Sequence, residues 1–399
     1  MLTRRILQAI QKDLSRKMVL LAGARRCGKT TIGRALAKSM KGQYYNWDIA
    51  SDRKKIRKYE LDPDAGLWVF DEIHKMRHWR NWLKGLFDEH QGHHQILVTG
   101  SAKLEVYGRG GDSLQGRYYL HHLHPFTFSE LQQIPQANTT INIIDGIPKL
   151  PINAKKGAEK LLRQLENMGG FPEPFLSAST TEAARWRTSY FHRLVEEEVR
   201  SLEGIKNLDQ MELLLDRLPE TVGSVLSINS LREDLEVAFE TVKNWIRIFE
   251  NLFSVFRIPP FGPAKIKAVK KEQKLYFWDW AAVPDMAHRF ENLIAVHLMR
   301  LCHWCEDLYG EKVELRYFRT RMGHEVDFIL LRKGKPWVAI EVKDSDRPVD
   351  PNLKYLLQKV SFPYAFQISR LGIKDYETES IGGCRVRVMP AIRLLANLP

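Results

Sequence analysis

"KMVLLAGARRCGKTTIGRALAK", residues 17–38, decides how the N-terminal third of the chain is read. Met18 to Ala22 form an apolar run, a Gly-containing loop follows, and a helical pattern opens at Lys29. Gly23, Gly28, Lys29 and Thr30 fit the spacing GxxxxGK[ST]. Glycines let backbone N–H groups wrap a phosphate, and the helix N-terminus adds its dipole. The lysine reaches the β- and γ-phosphates, and the threonine hydroxyl can ligate Mg²⁺. Gly23, Ala24, Arg25, Arg26, Cys27, Gly28, Lys29, Thr30 and Thr31 are therefore the expected ATP-binding loop.

The rest of an ATP-hydrolysing centre follows in order. "LWVFDEIHKM" is an apolar strand ending in Asp71 and Glu72, at the carboxyl end where open α/β sheets bind ligands. Asp71 is expected to hold the Mg²⁺ hydration shell with Thr30, and Glu72 to orient and polarise the attacking water. "HHQILVTGSAK" is a further strand, ending in Thr99-Gly100-Ser101, whose hydroxyl (Ser101 being the candidate) would sense the γ-phosphate. Phosphoryl transfer also gains from a completing cation, often an arginine of a neighbouring subunit. Arg109 and Arg117 are available, with Arg117 preferred.

Composition bounds the rest. The 399 residues, 44% hydrophobic and 27% charged, suit two or three globular domains. No run approaches a membrane span, and "MLTRRILQAIQKDL" lacks the apolar core of a signal peptide, so a cytoplasmic location is expected. A formal net charge of +13 points to an anionic partner, nucleic acid above all. Cys302 and Cys305 form "CHWC", but with His297 and His303 they lie on one helix and cannot converge on one ion.

The order of this loop, "VFDEIHKMRHWRNWLKGLFDEH", "ILVTGSAK", "LQGRYYLHHLHPFTFSEL" and "NMGGFPEPFL" resembles a prokaryotic AAA+ ATPase family. Its members carry a C-terminal winged helix and a restriction-endonuclease-like fold. The resemblance implies an α/β chain: an AAA+ P-loop core over 1–135, a loop and helical lid over 136–222, a winged helix over 223–280, and a nuclease-like domain over 281–399. It further implies ATP and Mg²⁺ as cofactors, DNA as substrate, and a homo-oligomer, a ring such as a hexamer.

The residues of the later segments fit that order. "QQIPQANTTINIIDGIPKLPINAKKG" has loop composition, and 158–220 is helical. "SINSLREDLEVAFETVKNWIRIFENLFSVFRIPPF" has helix-turn-helix proportions followed by a strand; a basic run and "LYFWD" come next. Lys243 and Arg247 on the second helix, with Lys265, Lys267, Lys270 and Lys271 on the wing, are candidate phosphate contacts.

In "RFENLIAVHLMRLCHW", Glu291 aligns with the apolar face of an amphipathic helix. In "HEVDFILLRKGKPWVAIEVKDS", alternation sets Glu325 and Asp327 on one face, with Val326, Phe328 and Leu330 on the other. A turn centred on Gly334 pairs Asp327 with Glu341, and Glu325 with Lys343. Two opposed carboxylates destabilise a sheet unless a cation lies between them. Glu291, Asp327, Glu341 and Lys343 stand in the order of the PD-(D/E)XK nuclease superfamily. That resemblance implies Mg²⁺ on Glu291, Asp327 and Glu341, with Lys343 assisting attack on phosphate and Mg²⁺-dependent DNA cleavage as the outcome. The alternative is a catalytically silent nuclease-like fold in a nucleotide-gated switch that binds a protein partner.

Overall fold

The apolar run that precedes the loop becomes β1 (Met18–Gly23), buried along its whole length. It is flanked by β4 (Gln95–Thr99) and β5 (Tyr118–Leu123). Beyond β4 lie β3 (Leu67–Asp71) and β2 (Gln43–Asn46), giving the order β2-β3-β4-β1-β5. Every pairing is parallel. Parallel neighbours require crossovers, and α2 (Lys29–Ser39), α3 (Ala50–Lys58) and α4 (Trp79–His90) provide them, after α1 (Ile6–Leu14). Strands buried on both faces explain why "VLL", "LWVF" and "ILV" run apolar without alternation. Trp68, Phe70, Ile73, Trp82 and Leu86 fill one side of this sheet.

The computed structural model describes residues 4–90, 92–100, 114–133, 156–199, 207–262 and 273–399. The chain forms two compact units, Met1–Pro125 with Asn251–Phe253, and Phe126–Glu250 with Ser254–Pro399.

Gly23, at the start of the loop, tolerates no side chain. Gly23 has φ of +153°, and a Cβ on it would lie 2.2 Å from the Leu123 carbonyl oxygen of β5. Gly23→Ala should therefore push β5 away from the start of the loop. We expect a loss of about 2 kcal/mol in stability and weaker nucleotide binding, checked by thermal unfolding and titration with a fluorescent ATP analogue.

The second unit opens with helices: α5 (Phe128–Leu131), α6 (Ala158–Met168), α7 (Pro172–Leu176), α8 (Thr180–Arg193) and α9 (Leu208–Arg217). The loop expected over 132–157 lies almost wholly outside the described residues. Then come α10 (Ile228–Asp234), α11 (Phe239–Asn251) and an antiparallel pair, β6 (Val255–Ile258) with β7 (Lys274–Phe277). Val242, Trp245, Ile246 and Phe249 bury one stripe of α11 at helical spacing.

A 24-residue helix, α12 (Met286–Tyr309), leads into a six-stranded sheet. Its strands are β8 (Val313–Arg319), β9 (Glu325–Arg332), β10 (Lys335–Lys343), β11 (Tyr364–Ser369), β12 (Tyr376–Ile381) and β13 (Cys384–Pro390), in the order β12-β13-β11-β10-β9-β8. The parallel step from β10 to β11 is bridged by α13 (Pro351–Lys359), and α14 (Ala391–Asn397) ends the chain.

Two irregularities correct the simple alternation. The β9–β10 turn is Lys333-Gly334, with Arg332 opposite Lys335; a slip at Trp337 then sets Phe328 opposite Ile340. One further step brings Asp327 opposite Glu341, the expected pairing. On the other side, Arg316 faces Ile329 but Phe318 faces Val326, so Asp327 and Phe328 together oppose Tyr317. This bulge breaks the face assignment: Val326 joins Ile329, Leu331 and α13 in one core, while Phe328 packs against Tyr276 of β7. α12 also departs from a one-sided helix. Asn292, Ala295, Val296 and His297 are buried as well as Phe290, Leu293, Ile294 and Leu298.

Candidate functional site

Because all five strands of the first sheet run the same way, the ends of β1, β3 and β4 meet at one edge. Leu21 pairs with Thr99, and Thr99 with Asp71. The loop leaves β1 at Gly23, turns through Arg26 at φ +62° and Gly28 at φ +105°, and enters α2 at Lys29. The Lys29 ammonium donates to the carbonyls of Gly23 (2.9 Å) and Ala24 (2.7 Å), so it is held over the loop it serves.

Asp71 is the centre of this edge and is 2% exposed. Its carboxylate accepts from the Thr30 hydroxyl at 2.7 Å, the Thr99 hydroxyl at 2.6 Å and the Tyr44 hydroxyl at 2.5 Å. Burial and the adjacent Asp71 charge push the Tyr44 phenol up, so it remains a donor. Thr30 and Asp71, hydrogen-bonded at the start of α2, suit a Mg²⁺ held with nucleotide phosphates.

Glu72, the next residue, has φ of +58°. Its amide donates to the Thr99 carbonyl at 2.9 Å, and its carboxylate lies 3.4 Å from Lys75 and 3.6 Å from His74. Burial raises the Glu72 carboxyl, opposed by Lys75 and Lys29, which makes it a stronger base than an exposed glutamate.

Two supports have little signal in sequence. Tyr44 lies in "QYYN", where either tyrosine could face the site. Arg4, just before α1, donates to the Cys27 carbonyl at 3.1 Å and to the His124 carbonyl. It is 4% exposed and braces the loop from beneath.

Other expected members are not brought together here. Arg117 precedes β5, where Tyr118 pairs with Met18, so it stands at the opposite end of β1 from the loop. Asp88 of α4 holds it through two hydrogen bonds of 2.7 and 2.9 Å. Within its own chain it cannot reach the loop. Ser101 and Arg109 lie outside the described residues.

In the second unit, Asp327 and Glu341 do come together. The Val342 amide donates to Asp327 Oδ2 at 2.9 Å, and the Asp327 amide to Glu341 Oε2 at 3.4 Å. Lys343 reaches Glu341 at 2.6 Å and Asp350, the N-cap of α13, at 2.7 Å. Glu291 of α12 is engaged elsewhere: the Tyr276 hydroxyl donates to its Oε1 at 2.7 Å, and Lys274 lies 3.3 Å from the same oxygen.

Burial, with Glu341 and Glu291 nearby, raises Asp327 strongly. Burial also lifts Glu341 to about 7, against the pull of Lys343. Among the described residues no three His, Cys, Asp or Glu side chains are grouped to hold a metal ion. Lysine, tyrosine and amide donors meet Oε1 of Glu291, Oδ2 of Asp327 and both oxygens of Glu341.

The raised Glu341 gives a pH prediction. Folded Glu341 holds its proton more tightly than the unfolded 4.5 allows, so its stabilising contribution is complete below that pH and is lost as pH rises through about 7. Glu341→Gln should flatten that decline and leave the variant the more stable at pH 8, by about 2 kcal/mol, in urea unfolding at several pH values.

The candidate DNA contacts on α11 are exposed but already engaged. Lys243 pairs with Glu240 at 2.8 Å, and Arg247 donates to the Asn244 side chain at 2.7 Å. Lys265, Lys267, Lys270 and Lys271 lie outside the described residues. His297 is a core histidine: its Nε2 accepts from the Phe128 amide at 3.2 Å, its Nδ1 donates to the Leu293 carbonyl at 2.8 Å, and burial lowers it to about 4. All four cysteines are buried free thiols.

Residues 15–132, which contain the whole phosphate loop and the Asp71 edge, match the family described as AAA domain. This part of the chain is similar to an AAA-type P-loop domain. Two domains of unknown function, DUF8612 and DUF4143, match residues 159–291 and 287–386 of the chain. The protein Rv2008c of Mycobacterium tuberculosis is 22% identical over 83% of this chain and 71% of its own length. MJ1637 of Methanocaldococcus jannaschii is 25% identical over 84% and 76%. Among solved structures, Bacteroides Pif1 bound to ssDNA aligns at 14% identity and a TM-score of 0.21, over 41% of this chain. The chain spans about half the length of such helicase structures, 50% for that one. Among the described residues, no helix is long and apolar enough to cross a membrane.

Proposed function

We propose that the chain is an ATP-binding and ATP-hydrolysing AAA-type protein that works on DNA. One observation carries the enzymatic half: Asp71 is fixed by Thr30 and Thr99 beside Lys29 and Glu72, all on one sheet edge. The loop amides receive the β-phosphate, and Lys29 exchanges the Gly23 and Ala24 carbonyls for β- and γ-phosphate oxygens. Mg²⁺ held by Thr30 and Asp71 offsets the charge on those oxygens when bound. Glu72 aligns a water against the γ-phosphorus and takes its proton as the new P–O bond forms and the β–γ bridge breaks, leaving ADP and phosphate.

Arg117 can complete such a site only for a neighbouring subunit, which favours a homo-oligomeric ring, a hexamer being one closed form.

The DNA half rests on the charge of +13 and on the helices α10 and α11 followed by the β6–β7 pair, which we read as a winged helix. Lys243 and Arg247 would exchange Glu240 and Asn244 for phosphates, joined by the basic stretch at 265–271. The C-terminal sheet keeps the nuclease-like order of Glu291, Asp327, Glu341 and Lys343. Mg²⁺-dependent cleavage would need those acids free to converge, and their lysine partners favour a domain that binds without cutting. That arrangement also supports the second reading, a nucleotide-gated switch with a protein partner.

A binding and cleavage panel of duplex, single-stranded and junction DNA, with and without ATP and Mg²⁺, separates these. We expect DNA binding that weakens steeply with salt, without strand scission. No binding at low salt would remove DNA from the account, leaving the switch.

A further inference from the structure

Glu291 shares its Oε1 with Lys274, the first residue of β7. This lysine is 1% exposed, although it follows a basic run that reads as a solvated wing. Its ammonium lies 2.6 Å from Glu325 Oε1, 3.3 Å from Glu291 Oε1 and 5.6 Å above the Tyr317 ring. Tyr276, two residues on, sends its hydroxyl to the same Glu291 oxygen.

A lysine this buried would ordinarily shed its proton. Here Glu325 and Glu291 stand at ion-pair distance from the ammonium and offset its burial. The bulge at Asp327–Phe328 matters, because it sets both residues opposite Tyr317, whose ring lies beneath the ammonium. Three elements distant in sequence, β7, α12 and β9, thus share one cation.

We propose that Lys274 is the resident cation of this cluster. Its ammonium takes the position among Glu291, Glu325 and Asp327 that a divalent metal would take, and it fastens β7 to α12 and to the six-stranded sheet. The acids then serve as an ion-pair clamp. Lys343 does the equivalent for Glu341 and Asp350 on the neighbouring strand. The two ammonium groups together stand against Glu291, Glu325, Glu341 and Asp350. The inference does not depend on ATP hydrolysis at the phosphate loop, so the two can fail separately.

Titration of the full, nucleotide-free chain with Mn²⁺, read by calorimetry and by the free-ion EPR signal, tests it. In the wild type, Mn²⁺ binding should be the same as in Asp327→Asn. Lys274→Met should unfold several degrees lower in metal-free buffer and gain one Mn²⁺ site, which raises its Tm and disappears in Lys274→Met/Glu291→Gln. A wild-type Mn²⁺ site that Asp327→Asn abolishes would overturn the proposal, since the lysine would then yield to metal. A folded Lys274→Met that gains no site would overturn it too. If Lys274→Met fails to fold, the comparison of wild type with Asp327→Asn decides alone.

Discussion

Glu72→Gln is expected to bind ATP about as tightly as the wild type and to hydrolyse it about 100- to 1,000-fold more slowly. The substitution keeps the side-chain length and one oxygen, so the turn at φ +58° and the Glu72 amide bond to Thr99 are undisturbed. What disappears is the basic oxygen, whose affinity for a proton is raised by burial at this edge. The raised pKa also sets the acid limb of the wild-type rate. Activity should fall off at a higher pH than an exposed glutamate would give, and Glu72→Gln should lose that limb. Steady-state phosphate release across pH, beside equilibrium binding of a fluorescent ATP analogue, reads both. A variant equally impaired in binding would mean that Glu72 organises the loop instead of the water.

The largest effect on stability is expected at Glu130, in "PFTFSELQ". Thr127 and Glu130 form a capping box at α5, and Glu130 meets Arg300 of α12 through bonds of 2.9 and 3.3 Å. Both residues are 4% exposed. Glu130→Ala removes the cap and leaves the Arg300 charge buried, at a cost of about 3–5 kcal/mol. The double variant Glu130→Met/Arg300→Met should recover part of that loss, because burying a cation without its partner is the main penalty. Urea unfolding of the single and double variants checks this, with no recovery pointing to the cap alone.

How much of this was legible depended on the distance over which each signal acts. The phosphate loop is a local device: its spacing, the strand before it and the helix after it lie within 22 residues, and each appears as read. The parallel sheet was legible because strands buried on both faces write themselves as apolar runs. Asp71 and Glu72 followed from the end of such a run. Tyr44, Arg4 and Thr99 complete the same edge, yet only Thr99 carried a hint, as a strand-ending hydroxyl. The others depend on which face of β2 turns inward and on where the N-terminus folds, which no local pattern encodes.

The C-terminal cluster shows the same limit more sharply. Alternation located Asp327 opposite Glu341, and that pairing is present. It could not foresee the slips at Trp337 and at Asp327–Phe328, because a bulge inserts a residue without changing composition. Val326 therefore changed faces. Nothing in "KKEQKLYF" sets Lys274 apart from the lysines before it, and only the packing of β7 against α12 reveals it as buried. The sequence order of Glu291, Asp327, Glu341 and Lys343 suggested a metal; in three dimensions lysines and hydrogen-bond donors of the protein itself meet the three acids.

ATP hydrolysis by the full chain in Mg²⁺, wild type against Asp71→Asn, tests the central claim most directly. Asp71 ties the Thr30, Thr99 and Tyr44 hydroxyls to one carboxylate, so loss of its charge should remove metal-assisted turnover while the fold persists. The expected result is steady turnover by the wild type and a loss of about 100-fold or more in Asp71→Asn, with circular dichroism unchanged. A wild type that binds no nucleotide, or an Asp71→Asn variant that hydrolyses ATP at the wild-type rate, would contradict the account.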